Sequence, residues 1–238
     1  MNKSKLERFI QKYSLGGAVE KAIWSFKNNK LSTAFVTFDK SLLGKVTVDN
    51  FTFEDIKLGV YSTNQLQRLL NVVGDNIDIS LTKANKSAVS LKISDAAATV
   101  NFTLADLAVI ETPPKQIEWP AFDTVVDIDT KFIDTFIRGK SALPDANTFT
   151  FVNNGNIKIV IGYSITNSNR VTIPINVREN FLIDYLSFDA NLFKEILLAN
   201  RECKSASFKV SSKGLAHIVF NVDNYVAEYY LTAAQNID

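Results

Sequence analysis

The sequence has very few of the side chains that carry out chemistry or bind metals. Its 238 residues include one cysteine, Cys203, and one histidine, His217. A single thiol excludes a disulfide within the chain and suits a reducing compartment. A structural zinc site needs four Cys or His ligands, so that class of site is excluded as well.

Glycine is also scarce, at nine residues, and none of them belongs to a phosphate-binding loop. The pair Gly16–Gly17 is better interpreted as the end of a helix. Asp127 and Asp129 precede a predicted helix, where carboxylates usually act as caps and not as metal ligands. Cys203 lacks a histidine to activate it, and His217 lies on the outward side of a predicted strand as a surface residue. The sequence therefore predicts neither an enzyme nor a bound cofactor or metal.

Long apolar runs are absent too. No stretch approaches the length of a transmembrane helix, and the charged residues 1–13 have no apolar signal-peptide core. Hydrophobic residues nevertheless make up 46% of the chain, which is enough for a packed core. We expect a soluble cytoplasmic protein that does not associate with membranes.

What the sequence does contain is a short apolar pattern that occurs four times. In each case a hydrophobic residue is followed by two more, three and four positions later, which forms one stripe of an amphipathic helix. The first members of the patterns lie 60, 67 and 60 residues apart. This regular period indicates one structural unit used four times and grouped as two pairs. The patterns are Leu6/Phe9/Ile10, Leu66/Leu69/Leu70, Ile133/Phe136/Ile137 and Phe193/Ile196/Leu197.

The four predicted helices carry an excess of positive charge. We expect them at residues 3–14, 64–74, 130–141 and 190–204, with net charges of +3, +1, +2 and +1. The whole chain carries only +1, so the remainder carries −6. Positive charge gathered on one type of element, combined with the repeat, indicates a directed electrostatic field.

The segments between the helices alternate apolar and polar residues, as half-buried antiparallel strands do. Three prolines within eight residues interrupt this pattern and predict an extended linker. We therefore divide the chain into an N-terminal domain at 1–111, a linker at 112–123 and a C-terminal domain at 124–238. Each domain is predicted to be α+β, with two helices covering one face of antiparallel sheet. Pro174 lacks an N–H and predicts an edge strand.

Parts of the sequence resemble the sliding clamps of T-even-type phages. Residues 61–80, which include the run Asn64-Gln65-Leu66-Gln67-Arg68-Leu69-Leu70, are similar to the second-helix region of those proteins. Residues 91–100 resemble the strand pair that follows, and residues 224–227 (Asn-Tyr-Val-Ala) resemble the last strand. The chain departs from the family in its longer N-terminal half and in the alanines at 96–98.

The resemblance implies a DNA-clamp fold, in which helices line the hole of a closed ring and antiparallel sheets form its outer wall. Three chains of two similar domains would complete a homotrimeric ring. Such a ring encircles double-stranded DNA without sequence preference, in the cytoplasm of the host cell. It tethers the replicative DNA polymerase to confer processivity, is opened by a clamp loader, and uses no cofactor.

The basic residues of the helices would then face the phosphates of DNA. Lys5, Arg8 and Lys12 lie opposite the apolar stripe of the first helix, and Arg8 and Arg68 occupy the same position of their repeats. Contacts of this kind are expected to be mobile and sensitive to salt. The expected DNA-binding residues are Lys5, Arg8, Lys12, Arg68, Lys131, Arg138, Lys194 and Arg201.

The linker and the last strand are the expected binding surface for partner proteins. The resemblance places them side by side, with an apolar pocket between them for a peptide of the polymerase or loader. The alternative is that Trp119 only fixes the linker to the core. The expected partner-binding residues are Ile117, Trp119, Phe122, Tyr229, Tyr230 and Leu231.

The resemblance also implies how chains would assemble. A strand at 98–107 of one chain would pair edge to edge with the strand at 170–177 of the next, which covers two exposed edges. Pro174 would have to point its missing donor away from that partner. A ring-forming phage structural protein of a capsid or tail is the alternative function, and it explains the repeat but not the charge. A single-stranded DNA binder would need exposed aromatic residues among basic ones on its strands.

Overall fold

The computed structural model describes residues 1–85, 87–114, 118–153, 155–164, 166, 169–177 and 185–234. They form two compact units. Unit 1 comprises residues 1–38 and 45–113, and unit 2 comprises residues 39–44 and 114–238. The boundary at 113/114 lies in the linker segment. The short segment 39–44 joins unit 2 because Thr232 donates its backbone N–H (2.9 Å) and its hydroxyl (3.1 Å) to the Ser41 carbonyl.

Unit 1 has two α-helices and two antiparallel groups of strands. The helices are α1 (Lys3–Ser14) and α2 (Thr63–Leu70), and short 3-10 turns follow at Leu15–Gly17 and Leu107–Val109. The strands are β1 (Ala22–Lys27), β2 (Lys30–Val36), β3 (Leu42–Val48, of which residues 45–48 belong to unit 1), β4 (Ile56–Val60), β5 (Asp78–Ala84), β6 (Ser87–Ser94) and β7 (Thr99–Thr103). Their spatial orders are β4-β1-β2-β3 and β5-β6-β7.

Unit 2 repeats this plan. Its helices are α3 (Thr130–Ala142) and α4 (Ala190–Ala199). Its strands are β8 (Thr124–Asp129), β9 (Thr148–Asn153), β10 (Ile157–Ile161), β11 (Val171–Pro174), β12 (Tyr185–Asp189), β13 (Ser205–Ser211), β14 (Leu215–Val222) and β15 (Tyr225–Thr232). The spatial orders are β15-β14-β13-β8 and β11-β10-β9-β12, with antiparallel neighbours. In the described part of the chain, no helix is long and apolar enough to cross a membrane.

The fourfold apolar pattern is the helical contribution to the core. Ten of its twelve residues are buried, and only Leu69 and Ile137 remain half-exposed. Each stripe packs against the inner face of antiparallel strands, where residues such as Phe149, Phe151 and Phe208 are fully buried. The pattern therefore marks four helices that use the same face in the same way.

Side-chain caps determine where the helices begin. The Ser62, Asp129 and Asp189 side chains accept backbone N–H groups of α2, α3 and α4, as their residue types predict. At α1 the cap is Asn2, whose Oδ1 accepts from the Ser4 N–H at 2.9 Å.

Two helices end earlier than the apolar pattern predicts. α2 ends at Leu70 and not at 74, and Lys3 Nζ donates to the carbonyls of Leu70 (3.3 Å) and Val73 (2.8 Å) beyond it. α4 ends at Ala199 and not at 204. The buried Asn200 amide donates to the Ile196 carbonyl (2.8 Å) and to the Tyr229 hydroxyl (3.0 Å). These donors satisfy carbonyls that a continued helix would have used.

The described part of unit 1 leaves β7 at a sheet edge. Leu104 N–H donates to Val89 O on the β6 side at 2.9 Å, and Phe102, two residues earlier, has the same orientation. Asn101 and Thr103 therefore direct their N–H groups to the opposite side. The outer edge of β7 thus presents backbone donors that point away from the sheet.

In the described part of unit 2, strand β11 is the corresponding edge, as Pro174 predicts. Gly162 N–H donates to Thr148 O on β9. Because backbone groups alternate in direction along a strand, the N–H and C=O groups of Ile159 on β10 and of the opposite residue Ile173 on β11 point towards each other. The backbone groups of Thr172 and Pro174 therefore point to the outer edge of β11. This is opposite to the orientation expected for Pro174 from the sequence, because its donor-less nitrogen faces the side on which another strand would pair.

Candidate nucleic-acid interface and linker site

The solvent sides of α1 and α2 are polar and mostly uncharged. Their exposed residues include Ser4, Gln11, Asn64 and Gln65, and Arg68 is the exposed cation of α2. The two helices pack on each other. Such a surface offers hydrogen bonds together with the positive charge of Arg68.

A buried network holds these two helices together. The Tyr13 hydroxyl lies 3.0 Å from Thr63 Oγ1, and Trp24 Nε1 donates to Tyr13 at 3.2 Å. Burial raises the pKa of the Tyr13 hydroxyl, so it stays neutral. The network links α1, α2 and β1, and thereby sets the positions of the side chains on the opposite sides of the helices.

The four predicted DNA-binding residues of unit 1 have different surroundings. Arg68 is exposed and Arg8 is half-buried, at equivalent positions of their repeats. Lys5 Nζ donates to the Asn50 carbonyl and lies 5.5 Å from the Phe51 ring centroid, and burial lowers the pKa of its ammonium group.

Lys12 is only 1% exposed, so its assignment as a phosphate contact does not agree with the structure. The buried side of α1 widens at its C-terminal end, where Tyr13 and Ser14 are also buried. The i, i+7 spacing from Lys5 therefore does not keep Lys12 on the solvent side.

The predicted DNA-binding residues of unit 2 lie on α3, on α4 and in the turn after α4. Lys131 and Arg138 are exposed and Lys194 is half-buried. The sequence predicts Arg201 on a helix, but it lies in the turn, since α4 ends at Ala199. Its Nε and Nη2 donate to Asp134 Oδ1 at 3.0 and 2.9 Å. The shorter α4 retains Lys194 and Glu195 and carries no net charge, in place of the predicted +1.

The linker site is a stack of aromatic rings on β14 and β15. The Trp119 and Tyr230 rings are parallel, with centroids 3.9 Å apart and an interplanar angle of 1°. Tyr230 also stacks on His217, with centroids 4.4 Å apart and an angle of 7°, and Phe122 lies 5.6 Å from the imidazole. Glu228 Oε1 accepts from the Tyr230 hydroxyl and lies 2.8 Å from His217 Nε2. Burial and the Glu228 carboxylate raise the pKa of Tyr230.

The prediction that His217 is a surface residue is wrong. Its side chain is only 13% exposed, because Tyr230 lies directly opposite it on β15 and Phe122 lies beside it. A signal was available in the sequence, since Glu228 and Tyr230 alternate on the same face of the last strand. The pairing register needed to connect them to His217 comes only from the fold.

The six predicted partner-binding residues divide by exposure. Tyr229 and Leu231 are fully buried, which removes them from any surface of this chain, whereas Trp119 is 38% exposed. Phe122 and Tyr230 are half-buried. Ile117 lies outside the described residues.

The end of the linker is anchored beside this stack. Asp123 N–H donates to the Val210 carbonyl at 2.9 Å, and Ser212 N–H donates to Asp123 Oδ2 at 2.5 Å. Hydrogen bonds from Ser212 lower the pKa of the Asp123 carboxyl. Both ends of residues 119–123 are therefore held on one sheet.

Comparison with solved structures identifies the class of fold. Proliferating cellular nuclear antigen from Entamoeba histolytica superimposes with a TM-score of 0.73, over 98% of this chain and 96% of that chain, at 15% sequence identity. The chain thus has an α+β DNA-clamp fold, as the sequence predicts.

Comparison with curated proteins finds similarity to the sliding clamps of two phages. The chain is similar to the sliding clamp of Escherichia phage RB69, with 24% identity over 159 residues, 66% of this chain and 65% of the relative. It is similar to the sliding clamp of Enterobacteria phage T4, with 23% identity over 158 residues and the same coverage of each chain. The matches span just under two thirds of the length of these relatives. No protein-family model matches. The resemblance to T-even-type phage sliding clamps is confirmed.

Proposed function

We propose that this chain is a sliding clamp that encircles duplex DNA and tethers a replicative DNA polymerase, conferring processivity. The observation that carries the proposal is the DNA-clamp fold of a chain whose helices present polar sides with Arg8, Arg68, Lys131 and Arg138. A weak, mobile hold on phosphates needs positive charge without base-reading contacts. The similarity to phage sliding clamps supports the same function, and nothing in the comparisons supports the capsid or tail alternative.

The proposed assembly is a homotrimeric ring. Strand β7 has an edge with outward N–H groups at Asn101 and Thr103, and β11 has an edge interrupted at Pro174. Pairing these edges between successive chains would cover both. A cavity of about 350 Å³ beside β11, lined partly by Phe132, Ile173 and Pro174, offers room for a neighbouring chain.

The proposed protein partners are the polymerase and an ATP-driven clamp loader. The exposed face of Trp119 on the linker, with Phe122 and Tyr230 beside it, is the proposed contact surface for their peptides. The clamp performs no chemistry of its own and acts in the cytoplasm of the host cell.

The decisive experiment is primer extension on a closed circular template by a cognate polymerase and loader. Replacing Arg8 and Arg68 together with Glu is expected to shorten the product of one binding event by on the order of tenfold, because like charges then face the phosphates. The matched control is Lys45→Glu with Lys57→Glu, which makes the same change in net charge at exposed strand positions. Equal processivity of the two double variants would contradict the assignment of the helices to DNA.

A further inference from the structure

Asp134 is an acidic residue that contacts two of the arginines in unit 2. It lies on α3, which packs against α4, and its Oδ1 accepts two N–H groups of Arg201. Its backbone carbonyl accepts from Arg138 Nε at 3.3 Å. One acidic residue thus contacts two of the arginines in the candidate DNA interface.

The positions equivalent to Asp134 in the other three repeats carry other residues. Each of these positions directly follows the first residue of the apolar stripe, and the residues there are Glu7, Gln67 and Lys194. Glu7 lies 3.7 Å from Lys3, which also donates to carbonyls at the end of α2. Arg68 makes no ion pair with the described residues. Among the residues that the structure describes, only unit 2 has a carboxylate at this position that binds an arginine of the candidate interface.

The stability of the fold does not account for this ion pair. The side chains of Arg201 and Asp134 are 63% and 36% exposed, and ion pairs at such exposure contribute little to folding. The pair does change the charge of the surface, since a carboxylate 2.9 Å from a guanidinium group cancels most of its field at greater distance. Two of the five N–H donors of Arg201 are also occupied.

We infer that Asp134 is a counter-ion that withholds Arg201 from DNA and keeps the contact of unit 2 with the duplex weak. The inference rests on the proposed function, because it assumes that the helices face DNA. It assigns Asp134 as a positioning residue that sets the number of phosphates neutralised by each chain. A clamp that slides benefits from such a limit, since each additional phosphate contact slows its movement.

The test is the salt dependence of binding to a short labelled duplex, followed by fluorescence anisotropy between about 50 and 200 mM salt. Asp134→Asn is expected to steepen the slope of log K against log salt by about 0.9 for each further phosphate that the chain neutralises. The matched control is Asp145→Asn, which removes the same charge from an exposed loop residue and is expected to leave the slope unchanged.

A second variant separates the role of Arg201 from a general charge effect. Arg201→Gln is expected to leave the slope of the wild-type chain unchanged, but to restore the wild-type slope in the Asp134→Asn background. The inference is overturned if Asp134→Asn matches Asp145→Asn, or if Arg201→Gln flattens the wild-type slope as much as Arg68→Gln does. If the wild-type slope is zero, the helices do not face phosphates and the proposed DNA interface is wrong, whereas equal non-zero slopes in all variants overturn this inference alone.

Discussion

The lysines and arginines of the helices fall into two groups that differ in burial. Lys12 and Lys140 are 1% and 3% exposed, and Lys140 Nζ donates to the carbonyls of Leu143 and Pro144 after α3. Arg68 and Arg138, in contrast, are exposed, and Arg8 is half-buried. Lys140 thus satisfies backbone carbonyls and supports the fold, whereas Arg68 and Arg138 are placed at the surface.

Lys12 provides a direct test of this division. Lys12→Ala is expected to lower the free energy of unfolding by about 1–3 kcal/mol, because it removes a buried hydrogen-bonding group and its packed methylenes. Arg68→Ala is expected to change it by less than about 0.5 kcal/mol, because Arg68 is exposed and surface substitutions usually have small effects. Urea denaturation of both variants measures the difference. A stable Lys12→Ala variant with weakened DNA binding would return Lys12 to the DNA interface.

At the scale of the elements, the linker is attached to a sheet by ring stacking. The stack of Trp119, Tyr230 and His217 continues from the linker onto β15 and β14, and Asp123 closes the attached segment. This geometry agrees with the alternative that Trp119 fixes the linker. It also leaves one side of the indole exposed, so attachment and partner binding are compatible in one residue.

The stack can be followed by tryptophan fluorescence. Tyr230→Leu is expected to shift the emission of Trp119 to longer wavelength and to cost about 0.5–1.5 kcal/mol, because the stacked partner is lost. Trp24, which is 1% exposed in the core of unit 1, supplies a constant background. Tyr163→Leu is the control, since the Tyr163 ring contacts Tyr185 and not a tryptophan. An unchanged emission spectrum in Tyr230→Leu would show that the linker is held in another way.

At the scale of the whole molecule, the proposed assembly depends on backbone groups at two strand edges. The N–H of Asn101 points away from β6, and its side chain is exposed. Phe102, in contrast, is 1% exposed and directs its N–H towards β6. A proline at 101 therefore removes a donor from the edge, whereas a proline at 102 would damage the unit itself.

Native mass spectrometry tests the proposed ring. The wild-type chain of 26.5 kDa is expected at three times its mass, and Asn101→Pro is expected to shift it to the monomer. Asn101→Ala keeps the backbone donor and should remain trimeric. Circular dichroism controls for the fold of each variant. A trimer that persists in a folded Asn101→Pro variant would place the interface elsewhere.

The sequence by itself determined the local features of this protein. Apolar periodicity located the four helices and their pairing, alternation located the strands, and the missing donor of Pro174 located an edge. These properties depend on residues that are close in the chain, so their pattern can be read directly. The apolar pattern does not predict that α2 ends at Leu70 and α4 at Ala199. The Leu70 carbonyl at the end of α2, for example, accepts a hydrogen bond from Lys3, which is distant in sequence.

The tertiary structure alone decided the partners and the exposure of the candidate residues. Arg201 meets Asp134 across 67 residues of sequence, His217 meets Tyr230 through a strand register, and Lys12 is buried by the packing of α1. The charged and aromatic residues of the candidate site can be identified from the sequence, but their partners and their exposure are determined by contacts between residues distant in sequence. Those contacts are set by how the apolar faces pack, and a one-dimensional pattern does not contain that information.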